Sequence, residues 1–197
     1  MDIDKYLDWF YQKFNKPFMP QWTCYRQDHT VLLTLIQENN IKSIFEIGTW
    51  SGWTTLLMWL FPGVEKIHSL DIHAGLNVEY AVANHLLMPK HFYGHYYKDT
   101  PVELEFCDSM QRTTLPGEKY DMVFIDGNHD YKHVKSDTEL GLTLATKVIA
   151  WHDYGSEPGV NTYLNEIGNF QRNDNCLVAY RILDIDTKPI FQEENNE

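Results

Sequence analysis

The chain has 197 residues, of which 43% are hydrophobic and 22% are charged, and this composition predicts a single domain with a buried core rather than a disordered chain. It carries 16 Lys and Arg residues against 28 Asp and Glu residues, which gives a formal net charge of −12. Because this excess of negative charge repels phosphate backbones and anionic lipid alike, we expect neither a nucleic-acid partner nor a membrane partner.

The cysteines and the N-terminus predict a reduced, cytoplasmic protein. Cys24, Cys107 and Cys176 are widely spaced, and they form neither a paired zinc motif nor a disulfide framework. The first ten residues are acidic and amphipathic, unlike a secretory signal. The longest strictly apolar run, residues 56–61, is far shorter than the roughly 20 residues that span a bilayer.

Apolar residues at helical spacing predict an N-terminal helical cap over residues 1–40, with one helix before Pro17 and a second over residues 28–39. From Ser43 onward, short apolar runs alternate with helical stretches. The predicted strands are residues 43–48, 66–72, 102–108, 120–126, 147–152, 176–183 and a last one near 189–192, and the predicted helices between them are residues 53–60, 78–87, 131–145 and 160–170.

This alternation predicts a doubly wound α/β fold, with a mostly parallel seven-stranded sheet and helices on both faces. The short link between the last two predicted strands favours an antiparallel C-terminal hairpin. We expect residues 41–197 to form this layered part, and the cap and the layered part to make one structural domain overall.

Polar residues are concentrated where the predicted strands end. In an open parallel sheet, ligands bind at the carboxyl ends of the strands, so these residues predict a binding site at one edge of the sheet. They are Glu46 and Gly48, Asp71 and His73, Asp108, then Asp126, Asn128 and His129, and finally His152 and Asp153.

The turn after the first predicted strand reads Glu-Ile-Gly-Thr-Trp-Ser-Gly, with glycines at positions 48 and 52. Trp50 stands where a dinucleotide-binding GxGxxG turn has its second glycine. A neutral nucleoside with an amino-acid tail is therefore favoured over a pyrophosphate. An ordinary strand–turn–helix with no ligand stays open.

Two aspartates follow the next predicted strands. Asp71 is placed to accept hydrogen bonds from the hydroxyls of a ribose, and the alternative is an exposed loop aspartate. Asp108 is placed to accept from an adenine amino group, and the alternative is a turn cap, since Ser109 follows it.

Taken in order, these motifs resemble a known family. Glu-x-Gly-x-x-x-Gly, the strand-end Asp, Cys-Asp-Ser and Phe-Ile-Asp-Gly-x-His are similar to motifs of the class I S-adenosylmethionine-dependent O-methyltransferases, within the metal-dependent group that includes catechol and macrolide-sugar O-methyltransferases. The resemblance covers about residues 41–183. It implies a Rossmann-like domain that binds S-adenosylmethionine and transfers its methyl group to a small hydroxylated acceptor, such as a sugar or polyol.

The resemblance also implies which residues hold the cofactor. Glu46 and the backbone at Gly48 would hold its methionine end, Asp71 its ribose, and Asp108 with Ser109 its adenine. The same resemblance places Thr49, Trp50, Gly52, Ile72 and Asp126 among the cofactor-binding residues.

For catalysis, the resemblance implies a divalent metal, magnesium or manganese, bound by Asp126, His152 and Asp153, and a general base at His129. His152 departs from the family, which usually has an acidic residue there. A neutral imidazole still binds divalent ions, and it would shift the preference from magnesium towards manganese, iron or zinc. Alternatively, His152 only orients the substrate.

Other readings stay open beside this one. A nicotinamide-dependent oxidoreductase is disfavoured because GxGxxG is missing, whereas a non-catalytic or metal-independent nucleoside-binding protein of the same fold remains an alternative. Tyr25, Arg26 and the aromatic-rich loop 88–100 are candidate walls of the acceptor pocket. The spacing of His85, His91 and His95 is too irregular to predict a metal site. The sequence does not fix the oligomeric state, and a homo-oligomer stays open.

Overall fold

The structure is a computed structural model that describes residues 1–14, 24–72 and 93–183. The predicted helix over residues 78–87, the predicted strand near residues 189–192, and His73, His85 and His91 lie outside these ranges. None of the helices in the described part of the chain has the length and apolar character needed to span a membrane.

Helices and strands alternate as the sequence predicts. Within the described ranges the α-helices are α1 (Ile3–Lys13), α2 (Arg26–Glu38), α3 (Trp53–Leu60), α4 (Tyr131–Leu144) and α5 (Pro158–Ile167), and Ser109–Gln111 forms a 3₁₀ turn. The strands are β1 (Ser43–Ile47), β2 (Lys66–Asp71), β3 (Glu103–Phe106), β4 (Tyr120–Ile125), β5 (Ala145–Trp151), β6 (Gln171–Arg172) and β7 (Ala179–Ile182).

The seven strands form one sheet in the order β3-β2-β1-β4-β5-β7-β6. The first five in this order are parallel, whereas β7 runs antiparallel to both β5 and β6. The predicted doubly wound, mostly parallel sheet is therefore confirmed. β1 lies between β2 and β4, and this is the point where the strand order reverses and where open sheets of this kind bind ligands.

The antiparallel C-terminal pair differs from the predicted hairpin. β7 matches a predicted strand, but its described hairpin partner is β6, which precedes it in the chain. No strand was predicted at Gln171–Arg172, since the segment is only two residues long, polar and exposed. Gly168 and Asn169, with φ of +57° and +53°, end α5 and redirect the chain into β6.

Side chains alternate along the central strands and fill a core on each face of the sheet. In β4, Met122 and Phe124 pack with the core that contains α1, α2 and α3, whereas Val123 and Ile125 pack with the core that contains α4 and α5. This period of two, with both faces apolar, is what a covered parallel sheet requires. The N-terminal helices α1 and α2 thus share a continuous core with the sheet.

Hydrogen bonds continue past the strand ends and align three loops at one edge. The N–H of Gly48 donates to β2 at 2.8 Å, that of Asp126 to Ile47 at 2.8 Å, and that of His152 to Ile125 at 2.9 Å. These bonds extend the strand pairing by one residue beyond β1, β4 and β5. The polar loops that follow the three strands are therefore brought together.

Candidate active site

A cavity of about 790 Å³ lies at this edge of the sheet, within the size range of small-molecule sites. Of the residues that the resemblance implies for the cofactor, the metal and the general base, all except Gly52 line it. These residues are Glu46, Gly48, Thr49, Trp50, Asp71, Ile72, Asp108, Ser109, Asp126, His129, His152 and Asp153. Gly52, with φ of +84°, is instead the N-cap of α3, as its place at the start of a predicted helix indicates.

Gly48 brings the β1 turn against the β4 turn. Its φ is +95°, and a Cβ added there would overlap the carbonyl oxygen of Asp126. Both facts require glycine, because another L residue would be strained and would also force the two loops apart. The turn that carries the predicted cofactor residues is thereby fixed against a predicted metal ligand.

Asp71 organises the same turn. Its Oδ2 atom accepts the N–H of Trp50 at 2.7 Å and that of Thr49 at 2.8 Å, and its Oδ1 atom accepts the N–H of Ile72 at 2.6 Å. Burial raises the pKa of Asp71 to about 6, although these three N–H groups act to lower it. Trp50 has a φ of +47°, a conformation that non-glycine residues rarely adopt, and its bond to Asp71 helps to hold it there.

Glu46 is held beneath the turn. It is 1% exposed, and its Oε2 atom accepts hydrogen bonds from the hydroxyls of Thr55, at 2.6 Å, and Ser69. Burial raises its pKa to about 7 despite these donors. The two hydroxyls therefore hold Oε2 in place, and the contact of Glu46 with the methionine end of the cofactor stays a prediction at a residue that lines the cavity.

Asp108 and Ser109 both make contacts with other residues of the protein. Asp108 caps the 3₁₀ turn, accepting from the N–H of Met110 at 3.0 Å and from the side chain of Gln111 at 3.1 Å. The Ser109 side chain hydrogen-bonds to Asp137 of α4, a 1% exposed carboxyl whose pKa burial raises to about 7. Sequence reasoning missed Asp137, because its burial depends on how α4 packs against this turn.

Two histidines and two aspartates converge on one side of the cavity. His129 Nε2 lies 3.1 Å from Asp153 Oδ2 and 3.9 Å from Asp126 Oδ1. His152 Nδ1 lies 3.2 Å and 3.3 Å from the same two oxygens. The sequence placed these residues after two strands, and the pairing of β4 with β5 makes the strands neighbours.

These four groups shift each other's protonation. Burial acts to lower the pKa of His152, but Cys24, Asp126 and Asp153 act in the opposite sense and raise it well above its ordinary value. The pKa of His129 is raised too: burial lowers it, and the two aspartates more than compensate. Burial acts to raise the pKa of Asp126, and the two histidines nevertheless hold it below its ordinary value.

The donor set also fits a divalent metal ion. Ligands that each lie about 2.1 Å from one ion are separated from each other by about 3.0–3.5 Å. Most of the distances above fall in this range, and the four donors are the imidazole nitrogens and carboxylate oxygens that transition metals accept. Asp126, His129 and Asp153 by themselves form one candidate cluster.

Backbone constraints fix the positions of these side chains. Asp153 has a φ of +63°, and its carboxylate accepts a bond from the Ser156 hydroxyl at 2.9 Å. Such strained conformations are concentrated at functional sites. Gly159, at the start of α5, packs so closely that a Cβ there would overlap the carbonyl oxygen of His129.

Two further residues reach this cluster from the N-terminal cap, and sequence reasoning missed both. Asp28, in the first turn of α2, has its Oδ2 atom 3.2 Å from His152 Nε2. The Cys24 thiol lies 3.8 Å from Asp126 Oδ2, and burial raises its pKa to about 11. The burial of Asp28 depends on how α2 docks against the sheet, which no sequence pattern indicated.

One residue of the N-terminal cap and one of the loop 88–100 line the cavity. Tyr25, 56% exposed, and Tyr93 line the cavity. Arg26 is not among the lining residues and pairs with two aspartates of α1, and its role as an acceptor contact stays a prediction. His95 is exposed and belongs to neither candidate metal cluster among the described residues.

A family model described as a methyltransferase domain matches residues 45–154, which is more than half of the chain, and the chain belongs to this family. The matched span runs from β1 to just beyond His152 and Asp153. The resemblance to methyltransferases is thus confirmed at the level of the family. A comparison with curated protein sequences gives no match.

Solved methyltransferase structures share the fold. The S-adenosylhomocysteine-bound methyltransferase PaMTH1 of Podospora anserina is 15% identical, with a TM-score of 0.56 over 92% of this chain and 88% of its own. An O-methyltransferase of Bacillus cereus in complex with S-adenosylhomocysteine is 15% identical, with a TM-score of 0.52 over 92% and 90%. TomG of Streptomyces achromogenes, an O-methyltransferase of tomaymycin synthesis solved with S-adenosylmethionine, is 13% identical, with a TM-score of 0.54 over 93% and 100%.

Proposed function

We propose that the protein is an S-adenosylmethionine-dependent O-methyltransferase that modifies a small hydroxylated acceptor with the help of a divalent metal ion. The observation that carries this proposal is the convergence of Asp126, His129, His152 and Asp153 in the same cavity as the Gly48 turn. Solved relatives that are bound to this cofactor or to its product support the choice of cofactor.

In this proposal, the cofactor lies along the turns after β1, β2 and β3. The backbone at Gly48 receives the methionine end, and Asp108 with Ser109 lies beside the adenine. Asp71 has a narrower role than its position alone suggests. An ionised carboxylate has about four lone-pair sites, and three already accept backbone N–H groups, so we assign it one ribose hydroxyl rather than two.

The metal would be held by Asp126, His152 and Asp153, with His129 close by. When bound, a divalent ion supplies Lewis-acid chemistry that lowers the pKa of an acceptor hydroxyl. The other requirements of the reaction are met by the protein's own residues. Its loops place the acceptor oxygen in line with the methyl carbon, which is the main requirement of methyl transfer.

His129 is the proposed general base. The residue lines the cavity and is partly exposed, and its Nε2 atom is buried without a hydrogen-bond partner among the described residues. In this role, Nε2 would accept the proton that the acceptor hydroxyl loses when its oxygen takes the methyl group from the sulfonium of the cofactor. Asp153, 3.1 Å away, stabilises the imidazolium that results.

Titration calorimetry tests the proposal. S-adenosylmethionine is titrated into the protein with a chelator present, and then with magnesium or manganese added. We expect micromolar cofactor binding without metal and a separate metal-binding event that is lost in Asp126→Ala. Absence of cofactor binding under both conditions would contradict the methyltransferase proposal. Cofactor binding without any metal binding would contradict its metal-assisted part alone.

A further inference from the structure

We propose that Asp28 of α2 is a positioning residue of the metal site. Its carboxylate holds His152 so that the Nδ1 atom of the imidazole is presented to the ion, and the completed site selects a transition metal over magnesium. This inference rests on the metal-assisted part of the proposed function. It assigns to the N-terminal cap a role in metal binding that neither the motifs nor the family comparison indicates.

Both carboxylate oxygens of Asp28 accept backbone hydrogen bonds. The residue is 0% exposed. Its Oδ1 atom accepts the N–H of Leu177 at 2.7 Å, and its Oδ2 atom accepts the N–H of Tyr25 at 2.8 Å. The same Oδ2 atom lies 3.2 Å from His152 Nε2. Because backbone donors fix the carboxylate, the carboxylate in turn fixes the plane of the imidazole.

This arrangement decides which ring nitrogen can bind an ion. An ionised carboxylate can only accept, so the Asp28 contact uses the N–H at His152 Nε2 and leaves Nδ1 as the nitrogen whose lone pair can bind an ion. Nδ1 faces Asp126 Oδ1 and Asp153 Oδ2, at 3.3 Å and 3.2 Å. Histidine ligands of metals usually donate their other N–H to such a carboxylate, and its loss weakens metal binding.

The donors indicate the class of metal. Magnesium prefers oxygen ligands and keeps several waters, whereas imidazole ligands suit zinc, iron, cobalt and related ions. Here His152 brings an imidazole nitrogen into the cluster beside the carboxylates of Asp126 and Asp153. On the cap side the soft sulfur of Cys24 lies 3.8 Å from Asp126, and Cys24, Asp126 and His152 form a second candidate cluster.

The test uses Co²⁺, whose visible absorption reports its ligands, on the full chain. Asp28→Asn is compared with wild type and with Asp121→Asn. Asp121 is a matched control, because its carboxylate also accepts two backbone N–H groups, from Lys42 and Ser43, and pairs with Lys147. Asp121 lies near the start of β4, whereas the site lies beyond the end of that strand.

We expect Asp28→Asn to bind Co²⁺ about 10–100-fold more weakly than wild type, with a changed visible spectrum at saturation. Asp121→Asn should bind within about threefold of wild type. Excess Mg²⁺ should leave the wild-type spectrum unchanged, whereas Zn²⁺ should abolish it. Wild-type affinity and spectrum in a folded Asp28→Asn protein would overturn the proposal, and so would displacement of Co²⁺ by Mg²⁺.

A second measurement needs no variant and covers the case in which Asp28→Asn does not fold. Long-range ¹H–¹⁵N NMR of the wild-type protein saturated with Zn²⁺ identifies the protonated nitrogen of His152. We expect the proton on Nε2 and a metal-shifted Nδ1 resonance, whereas a proton on Nδ1 would overturn the proposal. Wild-type protein that binds S-adenosylmethionine but no Co²⁺ or Zn²⁺ would also overturn it, while leaving cofactor binding established.

Discussion

The backbone of Gly48 lies against that of Asp126 so closely that no side chain fits between them. One residue belongs to the turn that we assign to the cofactor and the other to the group that we assign to the metal. The two binding functions therefore share a single packing contact, and a change at position 48 should affect both.

We predict that Gly48→Ala weakens cofactor and metal binding together, because the added methyl group separates the two turns. It should also lower the free energy of unfolding by more than about 2 kcal/mol, since strain at positive φ adds to the overlap. Gly63→Ala is the matched control: its φ is +100°, and a Cβ there meets no described atom within 4 Å. Gly63→Ala should lower the free energy of unfolding by about 1–2 kcal/mol and leave the affinities for cofactor and metal unchanged. Calorimetry and urea unfolding measure these effects.

His129→Ala should reduce turnover by about 10²–10⁴-fold, because the acceptor proton loses its base. Affinity for S-adenosylmethionine should remain nearly that of wild type. The control is His95→Ala, at an exposed histidine outside the cavity lining, which should keep full activity. Turnover of His129→Ala at the wild-type rate, measured with any accepted substrate, would remove His129 from the mechanism.

The buried carboxyl of Asp137 should make stability depend on pH. Its pKa is raised to about 7 in the folded state, so between about pH 4 and pH 7 the folded chain holds a proton that the unfolded chain releases. This contribution to stability is present at low pH and lost as the pH rises towards 7, by an amount on the order of 3 kcal/mol. Asn resembles the protonated carboxyl, so Asp137→Asn should flatten this part of the profile.

Urea unfolding at pH 5 and pH 8, with a chelator present, measures the effect. The exposed Asp99→Asn provides the control and should follow wild type, since its carboxyl stays in solvent. An Asp137→Asn variant with the same pH dependence as wild type would show that Asp137 is ionised in the folded protein.

Replacing His152 by an acidic residue should reveal its coupling to Asp28. In His152→Asp, two buried carboxylates face each other without the imidazole, and we expect a loss of about 3–5 kcal/mol in the free energy of unfolding. The double variant Asp28→Asn/His152→Asp should recover much of this loss, because an amide replaces one of the charges. It should also bind Mg²⁺ more tightly than wild type does. Additive single-variant effects in a double-mutant cycle would contradict the coupling.

Much of the sheet could be predicted from the sequence, because its central strands are apolar on both faces and bounded by turn residues. β1, β2 and β4 match their predictions within one residue at either end. The grouping of Asp126 with His152 and Asp153 followed from the same reasoning, since neighbouring parallel strands end at one edge. β6 was not predicted, because two exposed polar residues show no periodic pattern.

The remaining features of the site depend on tertiary packing. Asp71 was expected to use its carboxylate for a ligand, but the structure directs most of that carboxylate to Thr49 and Trp50, whose N–H groups point inward only in the folded turn. Asp28 depends on how α2 docks at the sheet edge, and no local pattern in the sequence specifies that docking.

The contact between Asp28 and His152 has a consequence for the order of events in synthesis. The two residues are 124 positions apart, and the bond from Leu177 to Asp28 spans 149 positions. Contacts of such long range form late, after the cost of closing a long loop has been met. In a growing polypeptide, His152 is therefore oriented only after the segment that contains Leu177 has been synthesised and has met α2. The metal site that we propose should therefore form only after these distant segments have folded together.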